Sequence, residues 1–143
     1  MSNDSSTSRD SATGSDQFLA DSLEASLTVK NLDTSLAWYR DVIGFSVDRK
    51  HERAGKLVAV SLSAGAVRLL ISQDDGAKGQ DRIKGQGLSL QITTRENADA
   101  VATRIKERGG ILDSEPVDTP WGRRVFRLRD PDGFRLTISS HAA

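Results

Sequence analysis

The sequence predicts an α+β fold of two βαβββ modules, whose strands form a curved mixed β-sheet trough with the helices outside. Three observations predict it. Short segments alternate apolar and polar residues, as half-buried strands do, and two longer segments carry apolar residues at helical spacing. The order strand, helix, three strands occurs twice. The two copies also align by offset: Leu27 and Val29 match Leu90 and Ile92, 63 positions later, and Val67, Arg68, Leu69 and Ile71 match Phe134, Arg135, Leu136 and Ile138, 67 positions later. A repeated supersecondary unit constrains architecture more than any single element, because one copy can cover only one face of its sheet.

The first strand is "LEASLTV" at 23–29, with Leu23, Ala25, Leu27 and Val29 on one side and Glu24, Ser26 and Thr28 on the other. In "NLDTSLAWYRDVIGF", Leu32, Leu36, Tyr39 and Ile43 share a helical face. Asp33 is the expected N-cap and Gly44 the terminating glycine. Strands follow at about 45–51, 56–63 and 66–72, separated by Gly55 and by "SAG" at 63–65. Residues 73–86 are polar and glycine-rich and read as a linker, with solvated lysines. The second module then repeats the order. "GLSLQIT" sets Leu88, Leu90 and Ile92 against Ser89 and Gln91, and "NADAVATRIKERGG" places Ala98, Val101, Ala102 and Ile105 on one helical face before Gly109–Gly110. Strands are expected at about 111–117, 122–129 and 134–140, the last two joined by "DPDG". There Pro131 presets the turn, Asp130 accepts a turn hydrogen bond and Gly133 tolerates the left-handed conformation.

Composition narrows the function classes. A chain of 143 residues is long enough for one domain with a real core. Lys+Arg and Asp+Glu balance at 20 each, so no net field favours nucleic acid or an anionic membrane as a partner. There is no cysteine, which removes thiol catalysis, disulfides and thiolate metal sites and suits a cytoplasmic location. No apolar run approaches the roughly 20 residues needed to span a bilayer. Residues 1–20 open with "MSNDSSTSRDSATGSDQ" and are expected to form a disordered tail. Residues 21–143 make the domain, with modules at about 22–72 and 87–141 and the linker at 73–86.

The polar residues that alternate with the core point into the trough. Ser26, Thr28, Ser89, Gln91 and Thr137 give it a polar, neutral floor able to hydrogen-bond a polar ligand. Arg68 and Arg135 occupy equivalent repeat positions facing the same space. Glu24 either pairs with one of them or acts as a general base or a cation anchor. Trp121, in "DTPWGRR" before the seventh strand, either packs the hairpin or stacks on a ligand at the trough mouth. No nucleophile–base pair stands out, since the two histidines, His51 and His141, fall in the second strand and the C-terminal tail.

The stretches "VKNLDTSLAWYRDVIGF" at 29–45 and "WGRRVFRLRDPDGFRLTI" at 121–138 resemble the vicinal oxygen chelate superfamily of glyoxalases, bleomycin-resistance proteins and extradiol dioxygenases. The likeness extends over roughly residues 22–141 and rests on scaffold motifs. Carried over position by position, the family's four metal-ligand sites fall on Glu24, Leu70, Gly87 and Thr137. Only Glu24 is a good ligand for a hard divalent cation, and a family-type catalytic centre needs about three protein ligands. The resemblance therefore implies a metal-free protein that binds a polar small organic molecule without a cofactor and pairs as a homodimer. The alternative is a lyase, isomerase or dioxygenase-like enzyme using Glu24, with or without an unusual divalent metal. A third reading is a non-catalytic dimerisation module.

Overall fold

The computed structural model describes residues 16–79 and 82–142. The expected disordered tail lies, over residues 1–15, outside the described residues. The elements run β1 (Glu24–Val29), α1 (Leu32–Ala37) continuing into a π-helical stretch (Trp38–Ile43), β2 (Ser46–Arg53), β3 (Lys56–Ala64), β4 (Val67–Gln73), β5 (Ser89–Thr93), α2 (Ala98–Glu107), β6 (Leu112–Asp118), β7 (Arg123–Arg129) and β8 (Arg135–His141). The two βαβββ modules are therefore present in the predicted order. Each forms a mixed four-stranded sheet, with orders β1-β4-β3-β2 and β5-β8-β7-β6. In both, the first strand runs parallel to the last and the other pairs are antiparallel.

Alternation decides which face each sheet buries. Leu27, Val29, Val60, Leu62, Leu69 and Ile71 of the first sheet are buried, as are Phe126, Leu128, Leu136 and Ile138 of the second. Leu32, Leu36 and Tyr39 from the first helix and Val101, Ala102 and Ile105 from α2 join both sets in one continuous hydrophobic cluster. The modules thus share a core through their helix-bearing faces, and each polar face looks away from it. Both helices are capped by asparagine. The Asn31 side chain accepts from Thr34 N at 3.0 Å and that of Asn97 from Ala100 N at 2.9 Å. The first cap lies two residues before the expected Asp33, because Asn31 holds the extended conformation an N-cap needs.

The first helix ends in a widened turn in which both Gly44 N and Phe45 N reach Tyr39 O, at 3.0 and 2.8 Å. Tyr39 is fully buried and makes edge-on contacts with Trp38 and Phe45. Its hydroxyl donates to Asp130 Oδ2 at 2.7 Å, across the module boundary. Asp130 belongs to the "DPDG" turn and also accepts, on Oδ1, from Asp132 N and Phe134 N at 2.9 and 2.8 Å. A second tie runs from Lys30 N to Asp132 Oδ2 at 2.7 Å.

Burial first, then the Asp130 charge, push the Tyr39 phenol far above its ordinary value of 10.0. Because the folded value is raised, the stabilisation is complete below pH 10.0 and is lost as pH climbs beyond it. Tyr39 is the only tyrosine in the chain. The tyrosinate absorbance band should therefore stay absent through the ordinary titration range and appear together with alkaline unfolding. A normal titration step in the still-folded protein would contradict this burial.

The 73–86 segment departs from the expected picture at Lys84. Its ammonium sits 2.6 Å from Asp74 Oδ2 with the side chain only 4% exposed, so it is a buried ion-pair member and no solvated charge. Arg82 reaches the same carboxylate at 3.3 Å, and these cations with Gly76 N hold Asp74 well below the usual carboxylate range. Gly85, at φ +82°, lies against the β7–β8 turn, where an added Cβ would stand 3.0 Å from Gly133 O and 3.1 Å from Phe134 Cα. Solvation was the natural reading of a polar glycine-rich run. A carboxylate one residue past β4 gathers the cations instead.

Candidate functional site

Residues paired in register point to the same side of a sheet, so the register assembles the polar faces. On the first sheet, Glu24 stands beside Arg68, which stands beside Ser63; Ser26 beside Leu70 and Ser61; and Thr28 beside Ser72 and Ala59. Arg68 reaches towards Asp48, at 4.0 Å, and Asp48 also accepts from Ser63 Oγ at 2.9 Å. Among the described residues, the acid nearest Arg68 is therefore Asp48, while Glu24, beside it in register, makes no ion pair with any of them. His51 joins this face as well, with Nε2 3.1 Å from Ser61 Oγ. Strand periodicity could not place it: β2 carries register irregularities between Val47 and Arg49 and between His51 and Glu52, and each one breaks the count of alternate residues.

On the second sheet one row reads Gln91, Thr137, Arg127, Ser114 across all four strands. The next row reads Ser89, Arg135, Arg129. All of these except Arg129 surround a cavity of about 340 Å³, whose lining also includes Asp113. Thr137 is its floor, 6% exposed, and its hydroxyl has no hydrogen-bond partner among the described residues. Gln91 Nε2 donates to Ser89 Oγ at 3.0 Å. Arg129 is held by Asp113 through two bonds of 3.0 and 3.2 Å. The sequence reading passed over Arg127. Its place was legible, because Arg127 and Thr137 stand equally far from Asp132 in the turn.

Of the predicted site residues, the structure brings Ser89, Gln91, Arg135 and Thr137 together around this one cavity. Glu24, Ser26, Thr28 and Arg68 lie together on the other sheet and do not line it. Trp121 is 73% exposed in the turn before β7 and lies outside the cavity. A larger cleft of about 1160 Å³ opens where the modules meet, with Arg40, Phe45, Val67, Ile92 and Arg104 in its walls. None of the predicted residues lines it, and Arg40 and Arg104 are already paired with Asp41 and Glu96.

At the four positions onto which the resemblance carries the family's metal ligands, the side chains are Glu24, Leu70, the absent side chain of Gly87 in the turn before β5, and Thr137. Their donor chemistry, one carboxylate and one neutral hydroxyl, does not fit a divalent cation. Among the described residues, no three His, Asp or Glu side chains group as a metal site needs. No helix among the described residues is long and apolar enough to cross a membrane.

The same architecture recurs in solved structures. TioX from Micromonospora sp. ML1 is 18% identical with a TM-score of 0.70, covering 85% of this chain and 99% of its own. TnmS3, an antibiotic binding protein from Streptomyces sp. CB03234, is 19% identical with a TM-score of 0.66, covering 88% and 99%. A superfamily member from Sphaerobacter thermophilus DSM 20745 is 21% identical with a TM-score of 0.67, covering 86% and 98%. No curated protein sequence matches the chain. The family model for the glyoxalase/bleomycin resistance protein/dioxygenase superfamily matches residues 20–138, which takes in both modules and both polar faces. With the duplicated βαβββ unit, the "DPDG" hairpin and the helix-facing shared core in place, the chain belongs to the glyoxalase/bleomycin resistance protein/dioxygenase superfamily.

Proposed function

We propose that the protein is a metal-free, cytoplasmic, small-molecule-binding member of this superfamily, a receptor for a polar organic compound without turnover. The observation that carries the reading is Thr137. Thr137, 6% exposed as a residue, presents to a cavity of about 340 Å³, with Ser89 and Gln91 beside it, a hydroxyl that makes no hydrogen bond among the described residues and so can bond a guest. The donor set at Glu24, Leu70, Gly87 and Thr137 supports the metal-free part of the reading. That one superfamily-fold structure is an antibiotic binding protein agrees with a receptor role.

The reading includes a homodimer. The two polar faces belong to separate sheets, and the outer strands β1 and β5 each begin next to an exposed leucine, Leu23 and Leu88. Uncovered strand edges of this kind favour pairing with a second copy. Sedimentation at concentrations of about tens of micromolar should give a dimer; a monomer there would remove this part.

A thermal-shift screen of metabolites and antibiotics should yield polar organic ligands. Thr137→Val should leave folding nearly intact and weaken their binding by about 0.5–1.5 kcal/mol, the worth of one neutral hydrogen bond. Stoichiometric zinc, nickel, manganese or iron in protein purified without chelator, lost in Glu24→Ala, would replace this reading with the enzyme reading.

A further inference from the structure

We infer that the ligand of the second sheet carries an oxyanionic group, a carboxylate or a phosphate, seated between Arg127 and Arg135 above Thr137. The inference rests on the binding-site reading and adds the charge class of the ligand. Three arginines meet on one face here. Arg127 is in register with Thr137, and Arg129 with Arg135. Like charges placed directly opposite one another repel, so a counter-charge between these exposed arginines is favoured. Asp113 supplies it for Arg129 alone, through paired bonds of 3.0 and 3.2 Å. Arg127 and Arg135 form no ion pair among the described residues, and both line the cavity. The chain as a whole is neutral, so this local excess of positive charge is a feature of the face itself.

The remaining lining residues suit the same guest. The Thr137 hydroxyl is free to donate, and Arg127 N is already satisfied by Ser114 Oγ at 3.1 Å, which fixes β7 at this point. Guanidinium groups match the two oxygens of a carboxylate or phosphate, and charge-assisted bonds of this type are the strong ones. A cationic guest would meet two unpaired arginines, with Asp113 already engaged.

The test uses the intact protein and an isosteric pair, benzoate and benzamide, with inorganic phosphate as a third probe, followed by amide chemical shifts. Benzoate and phosphate should shift the amides of Gln91, Arg127 and Thr137 saturably, more weakly as salt is raised, and benzamide should not. Arg127→Gln and Arg135→Gln should each weaken the response by about tenfold, from the loss of one charged hydrogen-bonding group, with an unchanged melting temperature. A response to benzoate but not phosphate would assign the oxyanion as a carboxylate, and the reverse as a phosphate.

Equal responses to benzoate and benzamide, unaffected by either arginine replacement, would overturn the charge class and leave the receptor reading standing. So would screen hits that are all neutral or cationic. Benzoate binding that appears only in Glu24→Gln would also overturn it, because Glu24 of a second copy would then be the resident anion. Failure of every compound, probe or screened, in the parent and all variants would remove the receptor reading as well.

Discussion

Tyr39→Phe is expected to destabilise the protein by about 1.5–3 kcal/mol, the usual worth of a hydrogen bond to a charged group. The substitution removes one oxygen and leaves the ring packing intact, so the loss isolates the bond to Asp130 Oδ2 at 2.7 Å. Burial raises the Asp130 carboxyl above its ordinary 3.8, while its bonds from Tyr39, Phe134 N and Asp132 N pull it back down. With the folded value raised, the Asp130 contribution to stability is complete below pH 3.8 and declines as pH rises through the folded value. Removing the phenol takes away one of the opposing donors, so the cost of Tyr39→Phe should be larger at neutral pH than in acid. There the bond falls towards the neutral range of about 0.5–1.5 kcal/mol. Urea unfolding at both pH values, with Asp130→Asn and the double variant, gives the coupling directly. Additive effects of the two substitutions would show that this bond does not join the modules.

Gly110→Ala is expected to cost about 1–3 kcal/mol, the range for overpacking a closed core. A Cβ built at Gly110 would fall 2.5 Å from Ile105 Cγ2, 2.8 Å from Val42 Cγ1 and 3.0 Å from Ile105 O. Two of these atoms belong to the last turn of α2. The third belongs to the π-helical stretch of the first module. The methyl group would therefore have to separate α2 from the other module or distort the end of α2, whose final carbonyls Gly110 N helps to satisfy at 2.9 Å from Ile105 O. The melting temperature is the readout, and an alanine variant as stable as the parent would show that the modules do not approach this closely.

Most of the fold was legible because its signals are local and periodic. Alternation placed every strand within two residues of its observed ends, and the offset between Val67–Ile71 and Phe134–Ile138 identified the duplication. The turn at "DPDG" also set the β7–β8 register, which seats Arg127 beside Thr137. Where the account failed, periodicity was broken or the partner lay far along the chain. The irregularities in β2 hid the inward position of His51. Lys84 read as solvated because its acid partner, Asp74, lies ten residues away across a loop without periodic structure.

The sequence by itself determined the two modules, the order of their elements and the face each strand buries. Those properties follow from side-chain chemistry at a known spacing. Only the tertiary structure decided that the modules pack through their helix-bearing faces, and so leave Glu24 and Thr137 on separate sheets. It also decided that Tyr39 meets Asp130 across 91 residues, and that Asp113 goes to Arg129 and leaves Arg127 and Arg135 without an ion pair among the described residues. The physical reason is one of range. Hydrophobic periodicity acts within a segment, whereas the pairing of buried or clustered charges depends on which distant segments the fold brings within hydrogen-bond reach.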